Sequence, residues 1–139
     1  MLFRSRQHSA PLKAILTKFG APTYDLVGVE AAQAFVTMLQ HQSPEFRQAE
    51  LVKLKANVDA GQARASDYAM VYDATRIDQG AKQLYGEKMV CAQGGALQMA
   101  PIEDENNVNL RRAQLGLMLV ELQARAIQNG NPNMCATRP

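Results

Sequence analysis

Apolar side chains recur along most of the chain at intervals of three and four residues, which is the period of an amphipathic helix. The stretches with this period are residues 11–19, 28–41, 44–60, 66–80, 108–115 and 117–127. The third stretch opens with Ser43, Pro44 and Glu45, a capping residue, a proline and an acid that each favour a helix start. The pattern therefore predicts five to six helices, the last two separated by Gly116.

The period changes over residues 87–100. Two short apolar runs there flank Gln93, Gly94 and Gly95, and a pair of glycines between such runs is typical of a β-hairpin. Because an isolated hairpin is marginally stable in water, it should lie against the helices. The predicted fold class is mainly α: a helical bundle of five to six helices with one short β-hairpin.

Length and composition indicate one domain. A chain of 139 residues, 47% of them hydrophobic, can bury a core without a metal ion or a disulfide. We assign residues 1–10 to a basic N-terminal arm, residues 11–128 to a single helical domain and residues 129–139 to a flexible C-terminal tail. The arm contains no acid, as targeting peptides do not, but it lacks the apolar region of a secretory signal. We therefore expect a cytoplasmic protein.

Composition and motifs argue against several classes of function. The net charge of +2 is too small to indicate nucleic-acid binding, and no apolar run reaches the roughly 20 residues of a membrane helix. The sequence has no phosphate loop, dinucleotide fingerprint or nucleophile elbow, so we predict no cofactor. His8 and His41 do not stand at metal-ligand spacing, so we predict no metal site. Cys91 lies in an apolar stretch and Cys135 in the polar tail, which favours two free thiols over a disulfide.

Polar side chains set among apolar ones form the candidate site. We predict His41, Asp73 and Arg76 as catalytic residues, with His41 as a general base because its ordinary pKa lies near neutrality. Arg76 would hold an anion or polarise a carbonyl group. The predicted ligand-binding residues follow shortly after: Gln83, Tyr85 and Gly86.

Each of these residues also has a structural interpretation, which the sequence leaves open. His41 can face the C-terminal carbonyls of its helix, and Asp73 can form a local ion pair with Arg76. Tyr85 can be a core aromatic residue, and Gly86 can serve a turn. For Arg111 and Arg112 we favour pairing with the acids at positions 103–105 over binding of phosphate.

The same residues belong to an ordered set of short motifs. In chain order these are Leu26-Val27-Gly28, Gln40-His41-Gln42, Asp73-x-x-Arg76, Gly80-x-x-Gln83-x-Tyr85-Gly86, Gly94-Gly95, Pro101-Ile102-Glu103-Asp104, Arg111-Arg112 and Gly116-Leu117. With this order and spacing, residues 11–122 resemble a bacterial family known as a domain of unknown function, numbered 6624. The chain departs from the family pattern at Phe35, where a tryptophan is usual, and at Glu87-Lys88, where Thr-Gln is usual. The resemblance implies a helical domain with a hairpin and no particular activity.

Two functions fit this reading. The first is a domain whose polar pocket binds a small anionic or carbonyl ligand and catalyses hydrolysis or group transfer, although whether the protein is an enzyme stays open. The second is a protein-interaction module, such as an immunity or adaptor protein, for which the methionine-rich composition is suited. Convergence of His41, Asp73, Arg76 and Tyr85 on one concave site would favour the first function. Scattered positions and an exposed apolar patch would favour the second.

Overall fold

The computed structural model describes the backbone of residues 2–136 and the side chains of residues 10–136. Within that part of the chain there are seven α-helices, two strands and one 3-10 helix. In chain order they are α1 (Leu2–Phe19), α2 (Tyr24–Val27), α3 (Val29–Gln40), α4 (Pro44–Asp59), α5 (Ala65–Asp78), β1 (Met89–Cys91), β2 (Leu97–Met99), the 3-10 helix (Glu105–Asn107), α6 (Val108–Gln114) and α7 (Val120–Gly130). The predicted fold class, mainly α with one short hairpin, is confirmed.

The hairpin forms where the period of the sequence changes. Strands β1 and β2 pair antiparallel, with Met89 opposite Met99 and Cys91 opposite Leu97. The turn between them uses Gly94 and Gly95, whose φ angles of 96° and 85° are unfavourable for residues with a β-carbon. The glycine pair therefore fixes the position of the turn.

The hydrophobic core lies where α3, α4 and α5 pack together. Helix α4 runs along α5, which also contacts α3. Leu39, Leu54 and Val71 are buried in this core, and α1 adds Leu12 and Leu16 from one of its faces. No helix in the described part of the chain is both long enough and apolar enough to cross a membrane.

Helix α2 was not predicted, and two helix starts differ from the prediction by more than one residue. Helix α1 begins at Leu2 and passes through Pro11, so the backbone of the predicted arm is helical from residue 2. A proline removes one helical hydrogen bond without necessarily ending the helix. Helix α7 begins at Val120 and not at residue 117, because the side-chain oxygen of Asn109 accepts a hydrogen bond from the Val120 N–H at 2.8 Å. This cap comes from a residue on α6, outside the local sequence of α7.

The prediction of two free thiols is wrong, because Cys91 and Cys135 form a disulfide. Helix α7 returns along the hairpin, where the side chain of Gln128 donates a hydrogen bond to the Leu97 carbonyl at 3.0 Å. The following residues then place Cys135 beside β1, with 5.4 Å between the two Cα atoms. The polar surroundings of Cys135 in the sequence gave no sign of this return. Disulfides persist mainly in oxidising compartments, and the cytoplasmic location stays a prediction.

Candidate functional site

Asp73 organises the segment that follows α5. Its carboxylate is completely buried and accepts backbone hydrogen bonds from Leu84 at 2.8 Å, from Tyr85 at 3.0 Å and from Glu87 at 3.0 Å. Burial raises the pKa of the Asp73 carboxyl above its ordinary value, against the lowering effect of these N–H groups. Both oxygens of Asp73 thus bind this chain's own backbone.

Gln83 joins the same segment to the hairpin. Its side chain is completely buried; the amide nitrogen donates to the carbonyls of Lys88 and Ala100, at 2.9 and 2.8 Å, and the amide oxygen accepts from the Lys88 N–H. Its backbone N–H also donates to the Pro101 carbonyl, and its carbonyl accepts from the Glu103 N–H. Gln83 therefore fixes residues 83–88 against the exit of the hairpin.

Gly86 sits at a close approach between this segment and α7. It is buried with a φ angle of 75°, and a β-carbon there would lie 2.5 Å from Cγ2 of Val120. Neighbouring Tyr85 packs its ring against Tyr68 and Tyr72, with centroids 6.2 and 5.5 Å away. Burial raises the pKa of the Tyr85 hydroxyl. The structural interpretations of both residues fit this geometry.

Arg76 bonds to other partners than Asp73. Its Nε donates to the Lys82 carbonyl at 2.7 Å, and its guanidinium forms an ion pair with Glu103. The side chain of Arg76 is 27% exposed, so part of the guanidinium still faces solvent. Arg76 links α5 to the segment after the hairpin.

Arg111 and Arg112 complete this network. Arg111 forms an ion pair of the kind favoured from the sequence, with 3.6 Å between its Nη1 and Oδ2 of Asp104, whereas Arg112 pairs with Glu87 and not with the acids at positions 103–105. Arg111 donates to the carbonyls of Leu84, at 2.9 Å, and of Glu103, at 2.6 Å. Arg112 is almost completely buried and donates to the carbonyls of Tyr85 and Met118. Because arginine carries five N–H donors, one side chain can bind several carbonyls that no strand or helix pairs.

His41 lies apart from this network. It follows the last turn of α3, is exposed, and donates its backbone N–H to the Met38 carbonyl at 3.2 Å. Among the described residues, no hydrogen bond or ion pair joins His41 to Asp73 or Arg76. The structure thus links Asp73, Arg76, Gln83, Tyr85 and Gly86 into one structural unit, whereas His41 stands outside it. Catalysis and ligand binding by these six residues stay predictions.

A second polar cluster lines a cavity between α1 and the start of α4. The cavity has a volume of about 470 Å³, within the range of roughly 300–1,000 Å³ usual for ligand sites. Its walls come from two segments: Lys13, Leu16 and Thr17 from α1, and Ser43, Glu45, Phe46, Ala49, Glu50 and Lys53 from α4 with its cap. Most of these residues are exposed, so the cavity is a cleft at the surface.

Glu50 is the buried polar residue of this cleft. Only 7% of the residue is exposed, and its Oε1 lies 3.3 Å from the ammonium of Lys53. Its Oε2 has no hydrogen-bond partner among the described residues. An unsatisfied buried polar group costs about 1–3 kcal/mol, more when it is charged. The sequence contains a signal for the burial of Glu50, since the acid stands between Phe46 and Leu54 at the four-residue interval of a buried face.

In the part of the chain that the structure describes, no group of three or more His, Cys, Asp or Glu side chains could hold a metal ion.

Comparison with known families identifies the chain. A family model described as a family of unknown function (DUF6624) matches residues 3–131. The chain therefore belongs to this family, and the resemblance predicted from the ordered motifs is confirmed; its bacterial origin stays a prediction. Neither a curated protein nor a solved structure matches the chain. In this chain the motif residues Asp73, Gln83, Gly86 and Arg112 shape the segment between α5 and α6.

Proposed function

We propose that this member of the DUF6624 family binds a small polar ligand in the cleft between α1 and α4. The observation that supports the proposal is the unpartnered Oε2 of Glu50 in the wall of a cavity of ligand size. A carboxylate held in a buried position without a full set of partners is costly, and a ligand that carries an N–H donor would offset that cost.

The carboxylate can present either oxygen to the ligand. Oε2 is buried in the wall, so the carboxylate must turn about its terminal torsion, which is broad, before Oε2 faces the cleft. One oxygen of Glu50 then keeps its contact with Lys53, while the other accepts a hydrogen bond from the ligand. The expected ligand therefore carries an ammonium or another cationic donor, since charge-assisted hydrogen bonds are the strongest available to a carboxylate.

The proposal keeps the predicted class of function, small-ligand binding, and places it at a different site. Asp73 and Gln83 are fully buried and bind backbone groups, so neither presents a free polar atom to a ligand. Glu50, by contrast, lines the cleft and has one oxygen without a hydrogen-bond partner among the described residues. Its negative charge favours a cationic group where the sequence predicted an anion or a carbonyl.

The experiment titrates the full chain, labelled with ¹⁵N, with n-butylamine. We expect saturable shifts in the amide signals of Phe46, Ala49 and neighbouring residues, and we expect Glu50→Gln to abolish them. Glu30→Gln, an exposed carboxylate on α3, is the matched control and should bind as the wild type does. Absence of saturable shifts, or equal shifts in Glu50→Gln, would overturn the proposal.

One observation favours the alternative, a protein-interaction module. Large apolar side chains are exposed at and beside the turn between α6 and α7: Leu110, Met118, Leu119 and Leu122, each about half exposed or more. We propose a second copy of this chain as the occupant. Glu121 and Arg125 lie on either side of Leu122, so in an antiparallel pair of α7 helices each acid faces an arginine of the other copy. Sedimentation velocity over a concentration series should then show a dimer that Leu122→Asp dissociates, and a monomer at every concentration would refute this.

A further inference from the structure

We infer that the ligand of the cleft between α1 and α4 is a zwitterion, with an ammonium group that binds Glu50 and a carboxylate that binds Lys13. This inference rests on the proposed function and names the class of ligand. It depends on a second charged group in the cleft, on the helix opposite Glu50.

Lys13 on α1 is that charged group. It lines the cleft, it is exposed, and its ammonium makes no hydrogen bond or ion pair with any described residue. Lys53, the other lysine of the cleft, lies beside Oε1 of Glu50 and already has an anionic partner. Among the described residues, the unpaired cation and the unpaired carboxylate oxygen of the cleft therefore lie on different helices.

The charges of the wall balance. Two lysines, Lys13 and Lys53, are matched by two acids, Glu45 and Glu50, so the cleft carries no net formal charge. A ligand with one charge would bring a net charge into the cleft, whereas a zwitterion preserves the balance. Glu45 also lies in the first turn of α4, where the helix dipole favours a negative charge without a ligand.

The wall beside Lys13 and Glu50 suits a short hydrocarbon linker. Leu16 on α1 and Phe46 on α4 line the cleft beside the charged residues. Lys13 and Glu50 lie on different helices with these apolar side chains beside them, so a ligand that reaches both needs an apolar linker between its two charged groups. The class of ligand is therefore an ω-amino acid, in which several methylene groups separate the ammonium from the carboxylate.

The experiment compares γ-aminobutyrate with n-butylamine and butyrate, each of which has only one of its two charges. Titrations use the full chain and follow the same amide signals, with glycine and ε-aminocaproate included so that linker length does not decide the result. We expect γ-aminobutyrate or ε-aminocaproate to bind about tenfold or more tightly than n-butylamine, the effect of one charge-assisted hydrogen bond.

Two variants test whether Lys13 binds the carboxylate of the ligand. Lys13→Gln should reduce the affinity of the ω-amino acid to that of n-butylamine and leave n-butylamine binding unchanged. Lys18→Gln is the matched control, because Lys18 lies on the same helix, over the ring of Phe19 and outside the cleft. The zwitterion is overturned if the wild type binds n-butylamine as tightly as every ω-amino acid and Lys13→Gln has no effect. The proposed function would still stand in that case. Absence of binding by all amines would overturn both.

Discussion

Arg112 and Glu87 form an ion pair inside the protein, with 2.9 Å between Nη1 and Oε1 and side chains that are 1% and 7% exposed. The second oxygen of Glu87 accepts a hydrogen bond from Gln123 on α7 at 3.1 Å. Arg112 meanwhile donates to the carbonyls of Tyr85 and Met118. The pair thus joins α6, α7 and the segment after α5, three parts of the chain that share no regular hydrogen bonding.

The two partners of this ion pair should respond differently to mutation, and Arg112 is the sensitive one. Arg112→Met keeps most of the side-chain volume but leaves two carbonyls and Oε1 of Glu87 without their donor. We expect the free energy of unfolding to fall by about 3–5 kcal/mol. Urea denaturation measures the free energy of unfolding. The control Lys82→Met, at an exposed cation, should change that free energy by less than about 0.5 kcal/mol. A cost for Arg112→Met as small as the control's would contradict the structural role.

Glu87 should make the free energy of unfolding fall as the pH rises, the opposite of the effect of an acid whose pKa is lowered by folding. Burial raises its pKa above the ordinary value, although Arg112 acts to lower it. The folded protein therefore holds the Glu87 proton more tightly than the unfolded chain. The stability that this proton contributes is complete below the ordinary carboxyl pKa of about 4, and it is lost as the pH rises through the raised folded value. Asp73 contributes with the same sign, since burial raises its pKa as well.

Glu87→Gln tests this sign, because glutamine imitates the neutral acid at every pH. Urea denaturation of the wild type and the variant between pH 4 and pH 8, values chosen to span the carboxyl range, should give equal stability at the acid end. The variant should become the more stable of the two as the pH rises. A variant that is less stable at neutral pH would show that the attraction of Arg112 outweighs the cost of burial.

Local signals in the sequence predicted most of the fold. Ser43 caps α4 as expected, with its hydroxyl accepting a hydrogen bond from the Phe46 N–H, and the glycine pair makes the hairpin turn. The start of α7 and the disulfide were missed because their causes are distant in the sequence. Asn109 caps a helix that starts eleven positions later, and Cys91 bonds to a residue 44 positions away.

The contacts of the candidate residues are harder to predict from the sequence, for a related reason. Asp73 and Gln83 stand out in the sequence as polar residues among apolar ones, but their partners are backbone groups that only the folded chain brings near. Residue type alone does not distinguish a carboxylate that binds a ligand from one that binds its own loop. Glu50 shows the limit of such a pattern. An acid on an apolar face indicates burial, but the sequence does not show that one of its oxygens lacks a partner.

Gly86 and Gly80 form a matched pair that separates backbone strain from crowding. Their φ angles are 75° and 80°, so a β-carbon meets the same left-handed backbone at both positions. At Gly80 it would point into open space, whereas at Gly86 it would meet Val120. We expect Gly80→Ala to cost about 1 kcal/mol and Gly86→Ala about 3 kcal/mol, because only the second adds overpacking. Thermal unfolding of both variants measures the difference, and equal costs would exclude close packing of Gly86 on α7.

Glu50 should limit the stability of the protein when no ligand is bound. Glu50→Met keeps an unbranched side chain, removes the unpartnered oxygen and frees Lys53, which is half exposed, to return to water. We therefore expect the free energy of unfolding to rise by about 1 kcal/mol, as it does when a buried charge with incomplete partners is replaced by an apolar group. Urea denaturation measures the change, with Glu30→Met, at an exposed acid, expected to stay within about 0.5 kcal/mol of the wild type.

The sign of this change decides between two roles of Glu50. Residues that serve binding commonly cost stability, so a gain on mutation together with loss of n-butylamine binding fits a ligand site. The candidate structural partner is Arg47, which lies one turn earlier on α4. It is buried, and its Nε has no hydrogen-bond partner among the described residues. If Glu50→Met instead lowers the free energy of unfolding by more than about 1 kcal/mol, the carboxylate is a structural partner of this helix. The cleft would then lack the carboxylate that the proposed ligand needs.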